Sequence, residues 1–486
     1  MNILSFHMGH DGSVTILEGD EIVVHHQLER FNGLKNQFYP TIELFDKIKS
    51  LKIKFDKVVI TTMSLGHQIP MTYLLKKYLN INSSQVISIL QDEHHIFHTE
   101  CARHLFDYPK NAIYFISDGH GAVKSLNNKK NTEIDGAEVI ECESFYDDKL
   151  NSLYKYYNTD RQIKIIDDKF LISKNISLGK AYQKLVYELG LSYNEEGKAM
   201  ALSSYGKFDK NIANQLINNN LIFKLNPNEK HTTKDSKSLD LVKTFQIVFQ
   251  QLFLKKIKRI NKKYDTLVLS GGCTQNVLNN SFLKDELNKD ILADPYNGDF
   301  GISLGSALHH TKIKVKPLKH ICSGFNPELN LSQFKSKNVT PQEVAEILVK
   351  EPILKKINTI KKREWYRPFA CTILEEDASK FFEIKPNETS PYMMFVYKCK
   401  DKRLKNVCSV DNYSRIQTLS RRFNSKYYDL IKAFKRATSL PAVLNTSLNL
   451  PGRVICENIN DLYLMMKNSS LRYCYLSDRE KLLWLT

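Results

Sequence analysis

Residues 91–121 read QDEHHIFHTECARHLFDYPKNAIYFISDGHG, and the reading of the fold starts from them. His94 and His98 stand four apart, a spacing that puts both imidazoles on one face of a helix, one turn from each other. Ala112 to Ile116 is short, apolar and rich in β-formers, so it reads as a buried strand. Asp118 falls where that strand gives way to a glycine-flanked turn, and ligands of open α/β sheets gather at the carboxyl ends of strands. Two imidazoles and a strand-end carboxylate suit a divalent metal. The same spacing also occurs where histidines only cap or hydrogen-bond. The segment lacks the Glu after its first His that a zinc-protease helix carries.

Outward from this stretch, one pattern recurs. Asn2–His7 reads as a first strand, Gly9-His10-Asp11-Gly12-Ser13 as a tight turn, and Val14–Leu17 and Glu21–His25 as returning strands. Thr266–Leu269 is a buried-type strand ending in Ser270-Gly271-Gly272, then a helix. Glycines at a strand-to-helix turn let backbone amides approach an anion. Ile291–Pro295 leads to Asn297-Gly298-Asp299, again an acid beside glycines, before a small-residue helix with Gly301 and Gly305. Repetition of strand, glycine turn and helix in two halves predicts an α/β protein with two related lobes. A second domain is expected after Lys319, with helices over 340–353, 375–382 and 423–437, strands over 392–397 and 442–444, and an exposed loop over 225–238.

The 486 residues suffice for two or three domains, and 42% hydrophobic with 25% charged residues is ordinary for a globular protein. No apolar run is long enough to cross a bilayer and the start does not resemble a signal peptide, so a cytoplasmic location is expected. Nine scattered cysteines without a C-x-x-C pair argue for reduced thiols. The net charge of +17 favours a polyanionic partner. Basic clusters such as Lys255–Arg259, Lys361-Lys362-Arg363 and Arg421-Arg422 carry it, and a lysine-rich solvated surface reads the same way.

Taken together, a set of segments resembles the NodU/TobZ-type O-carbamoyltransferases along nearly the whole chain. They are GHDGSV at 9, ERF at 29 with Lys35 and Tyr39-Pro40, HHIFH at 94, ISDG at 116, EGKAMALSSYG at 196 and SGGCTQN at 270. NGDFGISLG at 297, EWYRPFACTIL at 364, SRIQT at 414 and LNTSLN at 444 complete the order. The resemblance implies an actin-like (ASKHA), two-lobed Kae1-like domain over 1–325 and a YrdC-like α/β domain over 326–486. It implies that the second domain makes carbamoyladenylate from carbamoyl phosphate and ATP with Mg²⁺. The first would move the carbamoyl group to an acceptor hydroxyl.

Carried over by motif, His94, His98, Asp118 and Asp299 would bind a divalent metal, Fe²⁺ first, with Mn²⁺ or Zn²⁺ as alternatives. His10 would be general base or polarising group, and Lys35 would balance phosphate charge. Gly271, Gly272 and Asn276 would hold the nucleotide. Arg367 and Arg415, as planar bidentate donors, and Asn445, Ser447 and Asn449 after a strand would meet ATP or carbamoyl phosphate. The charge makes a nucleic acid acceptor, such as a 5-hydroxymethylpyrimidine in DNA, the leading expectation. A small sugar or antibiotic-type metabolite is the alternative acceptor, and an actin-like ATP-dependent kinase the alternative activity.

Overall fold

The computed structural model describes residues 1–62, 65–90, 93–126, 136–192, 194–219, 221, 232–317, 324–325, 329–350 and 353–485. The loop expected over 225–238 lies outside the described residues as far as 231. The chain divides into two compact units: Met1–Asn32 with Asn36–Gly324, and Gly33–Lys35 with Phe325–Thr486. Among the described residues no helix is long and apolar enough to cross a membrane.

Among the described residues the first unit holds two sheets. One contains β1 (Asn2–Met8), β2 (Ser13–Glu18), β3 (Glu21–Gln27), β4 (Lys57–Thr62) and β5 (Val86–Leu90), in the order β3-β2-β1-β4-β5. β1, β2 and β3 pair antiparallel, whereas β4 and β5 continue parallel to β1. This is the α/β layout expected of an actin-like lobe. The other comprises β6 (Ala112–Ser117), β7 (Val123–Leu126), β8 (Ala137–Asp147), β9 (Ser152–Asn158), β10 (Lys164–Ile166), β11 (Phe170–Ser173), β12 (Thr266–Ser270) and β13 (Asp290–Ala293). Its order is β10-β11-β9-β8-β6-β12-β13, with β7 beside β8. Every residue of β6 is buried, as its unbroken apolar run requires of a central strand covered on both faces. β12 runs parallel to β6, and β13 parallel to β12. Their carboxyl ends therefore lie side by side.

Two helices bring distant residues to those ends. The helix His94–Leu105 is buried along most of its length, Phe97, Cys101 and Ala102 included. The helix Ile302–Thr311 packs against it so closely that a Cβ on Gly305 would stand 1.9 Å from the Phe97 carbonyl oxygen. Its serines face the first sheet: Ser303 Oγ lies 2.8 Å from Ser13 Oγ and 2.8 Å from Thr15 Oγ1, and Ser306 Oγ lies 3.1 Å from Thr61 Oγ1.

Among the described residues the second unit carries two smaller sheets. One runs β14 (Phe334–Asn338), β20 (Lys481–Leu485), β19 (Cys474–Leu476). The other runs β16 (Val396–Lys398), β17 (Tyr413–Leu419), β15 (Ala370–Leu374), β18 (Ala442–Asn445). Two expectations need correction. The strand expected over 392–397 begins only at Val396, because Met393 takes φ +61° in the turn after Pro391. The helix expected over 375–382 is a 3-10 turn, Glu375–Asp377, followed by a single helical turn, Ala378–Phe381.

Candidate functional site

In the first unit, four side chains from three stretches converge. His94 opens its helix and His98 follows one turn later, their rings 4.9 Å apart and edge-on. Asp118 is the first residue past β6, and Asp299 opens the 3-10 turn Asp299–Gly301 that leads into the helix Ile302–Thr311. One ligand atom from each of the four lies within 4.8 Å of all the others. His94 Nε2 is 3.4 Å from both Asp118 Oδ2 and Asp299 Oδ1, and His98 Nε2 is 3.7 Å from the same two oxygens. These separations are long for charged hydrogen bonds. They are close to the ~3.4 Å edges of a tetrahedron whose metal–ligand bonds are about 2.1 Å. His98 Nε2 is buried and, among the described residues, has no hydrogen-bond partner, which a metal ion would supply. The donor set of two imidazoles and two carboxylates thus fits a divalent transition ion.

The electrostatics point the same way. Burial alone would favour neutral carboxyls, yet His94 and His98 hold Asp118 and Asp299 below the usual carboxylate range. Burial disfavours a charged His94, but Asp299 and Asp118 outweigh it and raise its pKa to about 10. Positive charge drawn onto imidazole thus stands where a divalent cation would balance the two carboxylates.

Around this cluster lie His7, His10 and the glycine turn. His7, the penultimate residue of β1, is fully buried with its Nε2 3.6 Å from Asp299 Oδ2. Sequence reading missed it, because β1 (NILSFHM) also carries Asn2 and Ser5 and nothing local sets His7 apart. His10 Nδ1 is 3.2 Å from Asp11 Oδ2, and its Nε2 is 2.9 Å from the Asn194 side-chain amide. The hydrogen bond to Asp11 raises His10 to about 9 against the cost of burial, with Asp11, Asp299 and Asp118 adding their charge. That value suits a polarising cation better than a base free at neutrality. Asp11 and Asn194 both adopt left-handed backbone, φ +53° and +63°, a conformation Asp and Asn enter more readily than most residues.

Gly271 has φ +87°, and a Cβ there would lie 2.5 Å from the Ser117 carbonyl. The turn can therefore press against the end of β6 only with glycine. A Cβ on Gly272 would stand 3.2 Å from Asp118 Oδ1, so this residue borders the four-donor cluster. Asn276 has another occupation. Its side-chain oxygen caps the helix Val277–Glu286 through Asn279 N at 3.0 Å, and its amide pairs with Gln246 at 2.9 and 3.1 Å.

In the second unit the expected phosphate-contact residues gather around a lysine that sequence reading did not single out. Lys361, at the end of the helix Ile353–Lys361, donates to Ser447 O at 2.9 Å, Ser447 Oγ at 3.1 Å and Asn449 O at 2.9 Å, and also to Asn449 Oδ1. It holds the loop after β18 in place. Asn445 donates to Thr372 Oγ1 and Gln417 Oε1, each at 2.9 Å. Arg363 binds the Arg367 carbonyl at 3.1 Å and stacks over Phe369 at 4.5 Å. Arg367 pairs with Glu364 at 3.1 Å.

Lys361, Arg363, Arg367 and Arg415 repel one another. Burial, then Arg363, Arg367 and Lys35, lowers Lys361 to about 8, and burial, then Arg367 and Arg415, lowers Arg363 to about 10. Arg415 counts as exposed by surface area, but enough protein surrounds its guanidinium that dehydration, then Arg367, lowers it as well. Cations that repel one another in this way gain when an anion lies among them. Lys35 belongs with this second unit. The run Lys361-Lys362-Arg363, which on charge alone reads as a surface patch, contributes two of these cations.

Comparison with known proteins agrees with the two halves. Residues 66–308 match the family model for the carbamoyltransferase N-terminus, and residues 348–480 the model for the carbamoyltransferase C-terminus. The chain is 26% identical over 530 residues to an uncharacterized protein of Methanocaldococcus jannaschii, covering 94% of this chain and 95% of that one. It is 47% identical over 107 residues to nodulation protein NolO of Bradyrhizobium diazoefficiens, 21% of this chain and 19% of the relative. To nodulation protein U of the same organism it is 25% identical over 266 residues, 45% and 46% of the two chains. An α/β enzyme with a four-donor cluster in one unit and a cation cluster in the other is thereby placed in a class. The chain belongs to the carbamoyltransferase family.

Proposed function

We propose that the protein is an ATP-dependent O-carbamoyltransferase. The second unit prepares carbamoyladenylate, and the first transfers its carbamoyl group to a hydroxyl. The observation that carries this reading is the convergence of His94, His98, Asp118 and Asp299 beside His10 and the Gly271-Gly272 turn. In the second unit Lys361, Arg363, Arg367 and Arg415 neutralise the phosphates of ATP and carbamoyl phosphate. Atom balance requires that water release phosphate from carbamoyl phosphate. The carbamate oxygen then attacks the α-phosphorus of ATP and pyrophosphate leaves.

In the first unit the acceptor hydroxyl oxygen attacks the carbamoyl carbon and its proton passes to solvent, the bond from that carbon to the adenylate oxygen breaks, and AMP leaves with the electron pair. A divalent ion, Fe²⁺ or else Mn²⁺ or Zn²⁺, would be held by the four donors and supply Lewis-acid stabilisation of developing negative charge. His10, which Asp11 and Asn194 hold in place through its two ring nitrogens, acts as a positive charge beside the oxygen that gains charge. The Gly271-Gly272 backbone bounds the space beside Asp118 where the adenylate lies.

The test combines the full chain with ATP, Mg²⁺, carbamoyl phosphate, a ferrous salt and a panel of hydroxyl acceptors. AMP, pyrophosphate and phosphate should form in equal amounts, and an acceptor should gain the mass of a carbamoyl group. ADP formation with phosphorylated acceptor would instead identify a kinase. The charge of +17 supports a polyanionic acceptor, for which a 5-hydroxymethylpyrimidine in DNA offers a primary hydroxyl. Such turnover should fall steeply between 50 and 200 mM salt, on the order of 10³-fold for six or more phosphate contacts. Salt-independent turnover of a sugar or other small metabolite, with none on DNA, would exclude the nucleic acid acceptor.

A further inference from the structure

Two residues, Ser270 and Asp294, lie behind the four-donor cluster against His98. Ser270 is the last residue of β12, and Asp294 comes directly after the last residue of β13, so the parallel register sets them side by side. Ser270 Oγ donates to Asp294 Oδ2 at 2.6 Å and lies 3.4 Å from His98 Nδ1. The other oxygen, Asp294 Oδ1, accepts from Tyr296 N at 2.7 Å, and Asp294 N donates to Leu269 O at 2.9 Å. Ser270, Asp294 and His98 are all fully buried, so no solvent competes for these bonds.

A serine hydroxyl has one proton to give. Here the short bond to the carboxylate takes it, so toward His98 the same oxygen can only accept. Weak as it is at 3.4 Å, this contact favours the His98 tautomer with its proton on Nδ1. The lone pair is left on Nε2, the atom that faces Asp118 and Asp299. Among the described residues His94 has no such support: its buried Nδ1 meets no hydrogen-bond partner there.

We propose that Ser270 and Asp294 are positioning residues that fix the tautomer and ring plane of His98 and so pre-form one of the four metal ligands. His98 is the ligand set in advance, and His94 the one that adjusts when the ion arrives. Outer-shell partners of this kind typically contribute 10–100-fold to metal affinity. The inference rests on the metal-binding reading of the four-donor cluster.

The test is a Co²⁺ titration of the metal-free full chain, followed by the visible ligand-field bands, for wild type, Asp294→Asn, Ser270→Ala, the double variant and His98→Ala. Thermal melting of each metal-free form serves as the folding control. Wild type should bind Co²⁺ with the bands of a four-coordinate site, and His98→Ala should lose them. Asp294→Asn, an isosteric change that keeps the site filled, should bind about 10–100-fold more weakly and shift the bands while its metal-free melt stays cooperative. The double variant should bind no more weakly than the worse single one, because both act through one imidazole. Asp294→Asn or Ser270→Ala binding Co²⁺ within threefold of wild type with unchanged bands would overturn the positioning role and leave the metal site standing. Failure of wild type to bind Co²⁺, or His98→Ala binding as well as wild type, would overturn the metal reading itself.

Discussion

At the scale of single residues, the site depends on charge balance among four side chains. Removing one carboxylate leaves a cluster unable to offset a divalent ion and strands a buried, charged His94. Asp299→Asn should therefore lose bound metal, measured by elemental analysis after dialysis, and lower carbamoyl transfer by at least about 10²-fold, the scale of losing one electrostatic element of a transition-state site. Retention of stoichiometric metal with near-normal transfer would refute the assignment. His94, His98 and Asp118 could be read from the chain because helix period and strand-end position are local properties. Asp299 stood out as an acid beside glycines, but its partnership with residues about 200 positions away came only from resemblance. His7 could not be read at all, since its burial depends on which strands flank β1. Lys361 was hidden differently: its run of three basic residues looks like any solvated cluster until the loop after β18 folds onto its ammonium group.

At the scale of elements, the site's geometry depends on how near two helices can come. The helix Ile302–Thr311 carries Asp299 at its entrance, and the helix His94–Leu105 carries both imidazoles. With Gly305, the Phe97 backbone can lie where any Cβ would collide at 1.9 Å. Gly305→Ala must push the helices apart by backbone movement, at about 3 kcal/mol, the upper end for overpacking. Chemical denaturation should show that loss, and metal affinity should fall with it because the ligands ride on the displaced helices. Unchanged stability would mean the helices are less closely packed than described. Strand ends and small-residue helices were visible beforehand because their signals are periodic. The late start of β16 was not, since the left-handed turn at Met393 has no glycine or asparagine to announce it.

The loop after β18 gives an element-scale prediction with a pH sign. Burial and neighbouring cations put folded Lys361 near 8, below the unfolded 10.5. The folded chain thus holds this proton less tightly than the unfolded one. The cost to stability is full below about pH 8 and fades as pH rises toward 10.5. A bound anion reverses the preference by stabilising the ammonium. ATP affinity of the full chain should therefore decline as pH passes 8, read by calorimetry. Lys361→Arg, which stays charged, should flatten that decline. Lys361→Ala should weaken binding about tenfold or more at pH 7, the scale of a charged hydrogen bond, and an unaltered affinity would remove Lys361 from the anion site.

At the scale of the whole molecule, the two clusters lie in different units and have different chemistry, which predicts a separation of partial reactions. Making carbamoyladenylate needs cations for phosphates and in-line attack at phosphorus, and nothing from imidazole donors. Transfer to a hydroxyl needs stabilisation of the negative charge that develops on the carbonyl oxygen, which, on the proposed reading, a metal held by the four donors would supply. In the full chain, His98→Ala should keep the exchange of labelled pyrophosphate into ATP, supported by carbamoyl phosphate, within about threefold of wild type. Its transfer to an acceptor should fall by about 10²-fold or more. Arg415→Ala should lose both reactions, because the acceptor step starves without its donor, yet supplied carbamoyladenylate should restore transfer. The two variants are therefore distinguishable by which substrate rescues them. If His98→Ala abolished pyrophosphate exchange as completely as Arg415→Ala, the two clusters would be serving one reaction, and the assignment of one chemical step to each unit would have to be abandoned.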